Sequence, residues 1–461
     1  MVLAVTLAST CVQPGPAQQS LGKATPAKDA DWAVYNGGSG GRHYSPLAQI
    51  NRANVAHLIP VWRYDTGDTG NMETNPIVVH GVLYAYSPTQ KVIALNAATG
   101  KRIWQFDSGI HGTQPVRGVT YWPGDAAHTP RILAGIMEYL YCLDARTGQP
   151  IATFGDHGRI DLRKNLRGNY RQQSTVLTSP GILYKNLIIV GGRDPETHPA
   201  PPGDIRAFSV LTGQLVWRFR TIPRPGEPGY TTWPRDAWKT AGAANNWAGM
   251  ALDEERGIVY VPTGSAVMDF YGGDRVGNDL YANTLLALDA NTGRRLWSFQ
   301  GVHHDLWDRD FPSPPALFSL TRNGAQIPAL AQTTKQGYLF VFNRVTGKPL
   351  FPIREEPFPR SNVPGEVTSP TQPVPMLPAP YGRQQLTADM LTTRTPAAHE
   401  WALKTFDTFR SNGQFVPFVV GQQTIVFPGF DGGAEWGGPA IDPQTDTIYI
   451  NETEMAWTGG L

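Results

Sequence analysis

The sequence predicts an all-β protein of the propeller type, with separate antiparallel sheets set around one axis. Three observations predict it. One element recurs five times: VIALNAATGKRIWQF (92–106), LYCLDARTGQPIATF (140–154), IRAFSVLTGQLVWRF (205–219), LLALDANTGRRLWSF (285–299) and LFVFNRVTGKPLFPI (339–353). Each copy is an apolar alternating run, a polar turn ending in Thr-Gly, and a second run that usually carries Trp. Alternation with period 2 around a glycine turn is a β-hairpin. The copies also return at blade-sized intervals, with Thr-Gly steps at Thr99, Thr147, Thr212, Thr292 and Thr346. Recurrence of that kind means an array of sheets, not one sandwich. Finally, the 49 Gly and 40 Pro suit short strands joined by many turns. The five hairpins are expected to form the outer strands of four-stranded blades, and Trp104, Trp217 and Trp297 to dock one blade on the next.

Taken in order, residues 1–30 stand apart from the propeller, which is assigned to 31–461. MVLAVTLAS (1–9) is a short apolar run without a basic start. A Pro/Gln/Ser/Ala-rich stretch follows it. It reads either as the stub of an export signal with a linker behind it or as an ordinary disordered terminus. Lipid attachment at Cys11 stays open. Ordered sequence is expected from about Asp31-Trp32. INRANVAHLIPVWRY (50–64) ends in the Trp-x-aromatic cadence of the repeats and is expected to supply a strand. Strands and loops, with no long amphipathic helix, fill 74–353. The Pro-, Thr- and Val-rich stretch 349–380 reads as a long excursion. A helix is expected over 397–409, with Pro396 at its start and a short turn around Leu386, Met390 and Leu391 ahead of it. Strands are expected to resume at Phe415, and 441–457 reads as the opening of a further blade.

That makes about six blades, with no clear closing strand. A propeller removes its sheet edges by closing on itself. The expectation is therefore an incomplete ring with a gap between first and last blades, unless the last strand pairs near Val61-Trp62.

The bulk composition excludes several functions. Net charge is +1 without a basic run, which argues against nucleic acid as a partner. Two cysteines, Cys11 and Cys142, give no disulfide framework and no paired metal-ligand spacing. No CxxCH occurs, so the chain carries no c-type haem of its own. No stretch reaches the about 20 apolar residues that span a membrane.

Chemistry concentrates in VHHDLWDRDFPSPP (302–315), between the fourth and fifth copies. Lys335 follows Asp308 at a distance that would place both at the inner ends of neighbouring strands. A carboxylate and an ammonium would then face one central cavity, able to hold a base and polarise a carbonyl. On a strand, Asp308 and Asp310 would share a face and Asp305 the other, so alternation does not choose between the first two. For the same reason His303 and His304 cannot easily reach one ion.

The repeats, HHDLWD, Lys335, NNWAGM (245–250) and EWGG (435–438) together resemble the pyrroloquinoline-quinone (PQQ)-dependent dehydrogenases over about 31–457. HHDLWD is most similar to the membrane-associated glucose dehydrogenase branch. The resemblance implies an eight-bladed quinoprotein propeller with PQQ on its axis and a divalent ion, usually calcium, beside it. It implies Asp308 as the catalytic base and Lys335 as the lysine that bonds the quinone carbonyls. Trp247 becomes the floor on which the flat cofactor stacks, and Arg117, in TQPVRGV, a fork of donors for its oxygens. Glu73 and Thr178 match further cofactor contacts, with a turn role as the competing reading. Trp436 matches a residue near the cofactor, with blade docking as its alternative.

For the metal, the resemblance implies Glu196, Asp194 and Asp308. The alcohol branch has an Asn as third ligand, where this chain has Ser265. The vicinal cysteine pair of the alcohol and methanol enzymes is absent. The glucose branch has a His four residues before the arginine, where this chain has Thr113. What the resemblance implies as a whole is a periplasmic dehydrogenase of a sugar or alcohol, attached to a membrane without a spanning helix. Hydride would pass to PQQ, and electrons onward to ubiquinone or a separate cytochrome carrier. The rival expectation is a non-catalytic propeller that binds proteins, as outer-membrane assembly lipoproteins do; it explains the repeats and a lipidated Cys11 but not the match at Asp308, Lys335, Trp247 and Arg117.

Overall fold

The computed structural model describes residues 31–461, so the readings made for 1–30, Cys11 among them, lie outside the described residues. Asp31–Tyr44 and Ile59–Leu461 form one compact unit, and Ser45–Leu58 belongs to a second. Within Ser45–Leu58 the side chains of Asn51 and Asn54 close a turn on their own backbone ahead of a one-turn helix at Val55–His57.

The large unit is a β-propeller. Its first blade is β1 (Ile77–Val79), β2 (Val82–Tyr86), β3 (Val92–Asn96) and β4 (Arg102–Phe106). The second is β5 (Thr120–Trp122), β6 (Arg131–Ile136), β7 (Tyr139–Asp144) and β8 (Arg159–Asp161). The third is β9 (Ile182–Tyr184), β10 (Leu187–Val190), β11 (Ile205–Ser209) and β12 (Leu215–Phe219). The fourth is β13 (Ala251–Asp253), β14 (Ile258–Pro262), β15 (Thr284–Asp289) and β16 (Arg295–Gln300). The fifth has three strands, β17 (Ala316–Arg322), β18 (Ala325–Thr333) and β19 (Leu339–Asn343). In the four full blades the strands pair antiparallel in chain order. First strands of successive blades approach one another, β5 to β9, β9 to β13 and β13 to β17, and therefore line the axis.

The repeated hairpin forms the two outer strands of blades one, three and four, as expected. Each of these three hairpins shifts register after the alanine of its first strand, at Ala94, Ala207 and Ala287. The turn is closed by the residue before it. Asn96 Oδ1, for example, accepts from the backbone N–H of Ala98 and Thr99 at 3.1 and 3.0 Å.

The second and fifth copies depart from the pattern. Both read TGxP, and a proline cannot donate to the ladder. Pro150 and Pro349 make only isolated bridges, to Leu143 and Phe342. In blade two the outer place passes to Arg159–Asp161, and blade five stays three-stranded.

The tryptophans join the blades. Trp104, Trp217 and Trp297 each donate Nε1–H at 3.0 Å to a carbonyl in the turn of the following copy, those of Ala145, Ala290 and Arg344. The glycines of those turns, Gly148, Gly293 and Gly347, each have φ +72, and a Cβ on any of them would fall 2.4–2.6 Å from the facing indole. Thr-Gly recurs because only glycine offers both the left-handed backbone and the space. The stretch 59–64 is not a strand. Its Trp62 nonetheless docks in the same way, donating to Ala97 O at 3.1 Å over Gly100. The hydrophobic core lies accordingly between blades. One cluster joins Tyr84 and Trp104 to Ile132 and Tyr141, and another joins Leu252 and Leu286 to Ile189 and Ala207. Strands such as β6 and β14 are buried on both faces.

After blade five several expectations change. The excursion 349–380 contains a hairpin, β20 (Ile353–Pro357) with β21 (Thr371–Pro375). The helix spans Pro396–Phe406, with Thr395 accepting from Ala398 N–H as its cap. Phe415 is buried with φ 54 and starts no strand. The next strand is β22 (Thr424–Val426), which pairs with β25 (Trp457–Gly459), not with Val61-Trp62. The hairpin of β23 (Ala440–Asp442) and β24 (Thr447–Tyr449) lies beside β17, in the position of a sixth blade. Residues 32–42 run across the inner strands and tie them together. Trp32 pairs with Val78, and the carbonyls of Ser39, Gly40 and Arg42 accept from Leu252, Leu317 and Ile441.

Candidate active site

Antiparallel order decides which loops meet. Loops that precede a first strand, and loops that join second to third strands, emerge on one face of the propeller. Thr-Gly turns emerge on the other. Every site residue expected from the sequence comes from the first group: Glu73 precedes β1, Arg117 precedes β5, Thr178 precedes β9, Trp247 precedes β13 and Asp308 precedes β17. Asp194 and Glu196 follow β10, Lys335 follows β18, and Trp436 precedes β23.

A cavity of about 240 Å³ opens on this face. Arg117, Trp247, Asp308 and Lys335 line it together with Asp310 and Glu435. The segment 302–315 is irregular, not a strand, and Asp308 itself has φ 55. Strand alternation therefore does not apply to its three acids, and their partners sort them instead. Asp305 is buried and fully bonded: Oδ2 accepts from Arg309 N–H at 2.7 Å and Asn283 Nδ2 at 2.8 Å, and Oδ1 from Trp307 N–H at 2.9 Å. Asp310 accepts from Trp247 Nε1–H at 2.6 Å and Ser265 N–H at 2.6 Å. Asp308 accepts from Lys335 Nζ at 2.9 Å through Oδ2, and its side chain keeps one fifth of its surface open.

Burial sets the electrostatics. It holds the Asp308 carboxyl well above the usual carboxylate range, against the pull of Lys335 and with the push of Asp310. Burial also acts to lower the Lys335 ammonium, but Asp308, Asp310 and Glu435 outweigh it and the net shift is upward. Glu435 is pushed up to about 7 by burial, against Lys335. Burial lowers Arg117, which Tyr35 and Glu73 oppose. Its guanidinium lies 5.2 Å from the Trp247 ring centre and 5.0 Å from that of Trp436. Glu73 stands 3.6 Å from it. Its Nε and Nη1 are buried and bond to no protein atom.

Residues 32–461 match the family described as "PQQ: Glucose/ethanol/alcohol dehydrogenase, beta-propeller domain". The chain belongs to this family. It is 32% identical to the quinate/shikimate dehydrogenase (quinone) of Acinetobacter baylyi, over 93% of this chain and 57% of that protein. It is also 32% identical to the quinoprotein glucose dehydrogenase of Escherichia coli, over 95% of this chain and 57% of that protein. The chain thus spans 57% of the length of these two curated relatives. Its fold is that of the quinohemoprotein alcohol dehydrogenase from Comamonas testosteroni, with a TM-score of 0.70 at 24% identity over 94% of this chain and 59% of that one.

Against this PQQ family the donor set can be tested. PQQ is a flat, multiply acidic quinone. Arg117 offers buried N–H groups without protein partners, Lys335 an ammonium, and Trp247 an indole face on the cavity wall. These residues fit such a group. Thr178 Oγ1 instead donates to Trp247 O at 3.1 Å, so it fixes the backbone beneath the indole. Glu73 lines a smaller polar recess beside the cavity, and Trp436 lines a neighbouring one.

Calcium fits less well. Among the described residues no three His, Cys, Asp or Glu side chains are disposed to hold an ion. Glu196 pairs with Arg193 at 3.0 Å, and Asp308 with Lys335. Asp194 is buried, no full hydrogen bond closes on either of its oxygens, and burial pushes it up to about 7. Glu196, Asp194 and Asp308 all line the cavity, but as they stand their oxygens do not form a metal-holding group. Sequence reasoning missed Asp269 and Glu435, which line the cavity. Asp269 follows the Thr-Gly step of PTGSAVMD, and Glu435 adjoins the noted Trp436. An acid beside a matched motif was the only signal.

Proposed function

We propose that this chain provides the catalytic propeller of a PQQ-dependent dehydrogenase that oxidises a CH–OH group, with Asp308 as the base. The observation that supports this most is the Asp308–Lys335 contact of 2.9 Å at the wall of a cavity that also holds Arg117 and Trp247. PQQ, when bound, supplies the two-electron oxidation of the carbon. Arg117, Lys335 and Trp247 would hold it: the guanidinium on its acidic groups, the ammonium on its carbonyls and the indole on its face.

The chain's own part is proton management. Asp308 can accept the hydroxyl proton of the substrate, and burial raises its basicity above that of a free carboxylate. Lys335, held by the same carboxylate, keeps Asp308 oriented and offsets its charge. Once Asp308 takes up a proton, Lys335 remains charged in the field of Asp310 and Glu435. A sugar or an alcohol suits this chemistry equally. The two relatives named above act, by their names, on quinate or shikimate and on glucose. A periplasmic setting and ubiquinone or a separate carrier as electron acceptor complete the reading. Calcium enters no step of it.

Purified chain incubated with PQQ, with and without calcium, tests the reading through dye-linked oxidation of glucose, quinate and primary alcohols. Asp308→Asn keeps the shape and removes the base. Turnover should fall by about two to four decades while PQQ stays bound. Near-normal turnover would transfer the role of base away from Asp308.

A further inference from the structure

Asp310 lies two residues beyond the proposed base and lines the same cavity, yet its oxygens are already taken. Oδ2 accepts the indole N–H of Trp247 at 2.6 Å. Oδ1 accepts the backbone N–H of Ser265 at 2.6 Å, and the Ser265 hydroxyl stands 2.8 Å from it. That hydroxyl also reaches Asp305 Oδ2 at 2.5 Å, where Asn283 Nδ2 converges at 2.8 Å. Carboxylate and backbone are packed together here. A Cβ on Gly264 would fall 2.7 Å from Oδ2 and 2.9 Å from Oδ1 of Asp310.

The backbone of Trp247 is fixed independently. Thr178 donates to its carbonyl, and Asn246 Nδ2 donates to Gly249 O at 2.8 Å and Pro262 O at 2.6 Å. An indole on a fixed backbone still has side-chain torsions, and a charge-assisted hydrogen bond at its one donor removes that freedom. We infer that Asp310 is a positioning residue: it locks the plane of the Trp247 indole on the cavity wall, anchored in turn by Ser265, and is not a second base. The same bonds explain Ser265. Its N–H and hydroxyl serve Asp310 and Asp305 and are not offered to a ligand.

The inference rests on the proposed reading only where it makes Trp247 the floor for PQQ, and the two parts are tested separately. The first test uses the chain without cofactor, labelled with ¹⁵N-indole tryptophan. The Trp247 resonance is assigned by its loss in Trp247→Phe. It should lie downfield, as a strongly bonded N–H does. It should move upfield in Asp310→Asn, where one oxygen cannot serve both donors, and stay in place in Asp308→Asn. Gly264→Ala, which crowds the carboxylate from the other side, should move it too. A resonance unmoved by both Asp310→Asn and Gly264→Ala, or moved as far by Asp308→Asn, overturns the inference.

The second test is PQQ affinity by absorbance titration. Asp310→Asn should weaken binding about tenfold in the parent chain and less than twofold in a Trp247→Phe background, since the two act through one bond. Effects that multiply in the double variant overturn the inference. If the parent chain takes up no PQQ, the reading of the cavity fails, and the resonance still decides what Asp310 does.

Discussion

Lys335→Met removes the ammonium and keeps most of the apolar stem. It isolates what the pair at the cavity wall does for the fold. Lys335 Nζ lies 2.9 Å from Asp308 Oδ2, with the lysine side chain 6% and the aspartate side chain 20% exposed. Removing one partner of a buried pair typically costs about 3–5 kcal/mol, because the other charge is left alone. Partial exposure of Asp308 puts this case near the lower end, about 3 kcal/mol.

The cost must depend on pH. The Asp308 carboxyl is raised by burial even with the lysine present, and Asp310 and Asp305 push it further up. Without Lys335 it rises again. A carboxyl raised in the folded state binds its proton more tightly there than in the unfolded chain. Stability is therefore lost as pH climbs from the ordinary carboxylate value towards the folded one. At pH 5, which favours the neutral carboxyl, the loss should approach that of the contact alone, about 1 kcal/mol. At pH 8, which favours the charged form more, the loss should be larger, rising towards about 3 kcal/mol for an unpaired charge. Urea unfolding of parent and variant at both pH values, followed by tryptophan emission, measures the difference. Equal destabilisation at pH 5 and pH 8 would show that Lys335 contributes packing alone, and would refute the argument from charge.

Other consequences are open to equally direct tests. Gly293→Ala and Gly324→Ala share nearly the same backbone, φ +72 and +76, but only Gly293 faces an indole, with Trp217 Cε3 2.4 Å from an added Cβ. Thermal unfolding should show Gly324→Ala losing about 1 kcal/mol of strain alone and Gly293→Ala at least about 3 kcal/mol; equal losses would mean the Trp-on-Gly contact does not join the blades. Asp194 and Glu435 are each held up to about 7 by burial, against ordinary values of 3.8 and 4.5. Between those limits the folded chain binds more protons, so stability should fall as pH rises from about 4 to about 7 and then level off, by at most about 1.4 kcal/mol per pH unit for each group. Unfolding free energy that rises across that range would contradict both assignments.

What the sequence determined by itself was the repeating unit and its chemistry. The Thr-Gly turn is legible because a left-handed residue beneath an indole admits little but glycine, and Trp62 shares the cadence because it does the same work without being a strand. Asp308 and Lys335 were legible as a pair because their elements are adjacent in the ring. Long-range geometry decided the rest. TGxP predicts a weakened hairpin once Pro150 and Pro349 are weighed, but not that 159–161 would take the outer place in blade two, since that strand is chosen by which segment can reach β7. Strand alternation does not sort the acids of 302–315, because the segment is a loop with left-handed residues at His304 and Asp308. Its acids are told apart only by partners from elsewhere: Lys335, Trp247, Ser265 and Asn283. Glu196 is placed by resemblance; it lines the cavity with Asp308 and pairs with Arg193, three residues before it, a partner the resemblance does not name. A sequence names the donors and acceptors near a motif; which of them are already bonded to one another is decided when distant loops meet on one face of the propeller, because each buried polar group takes the partner that the folded backbone brings within reach.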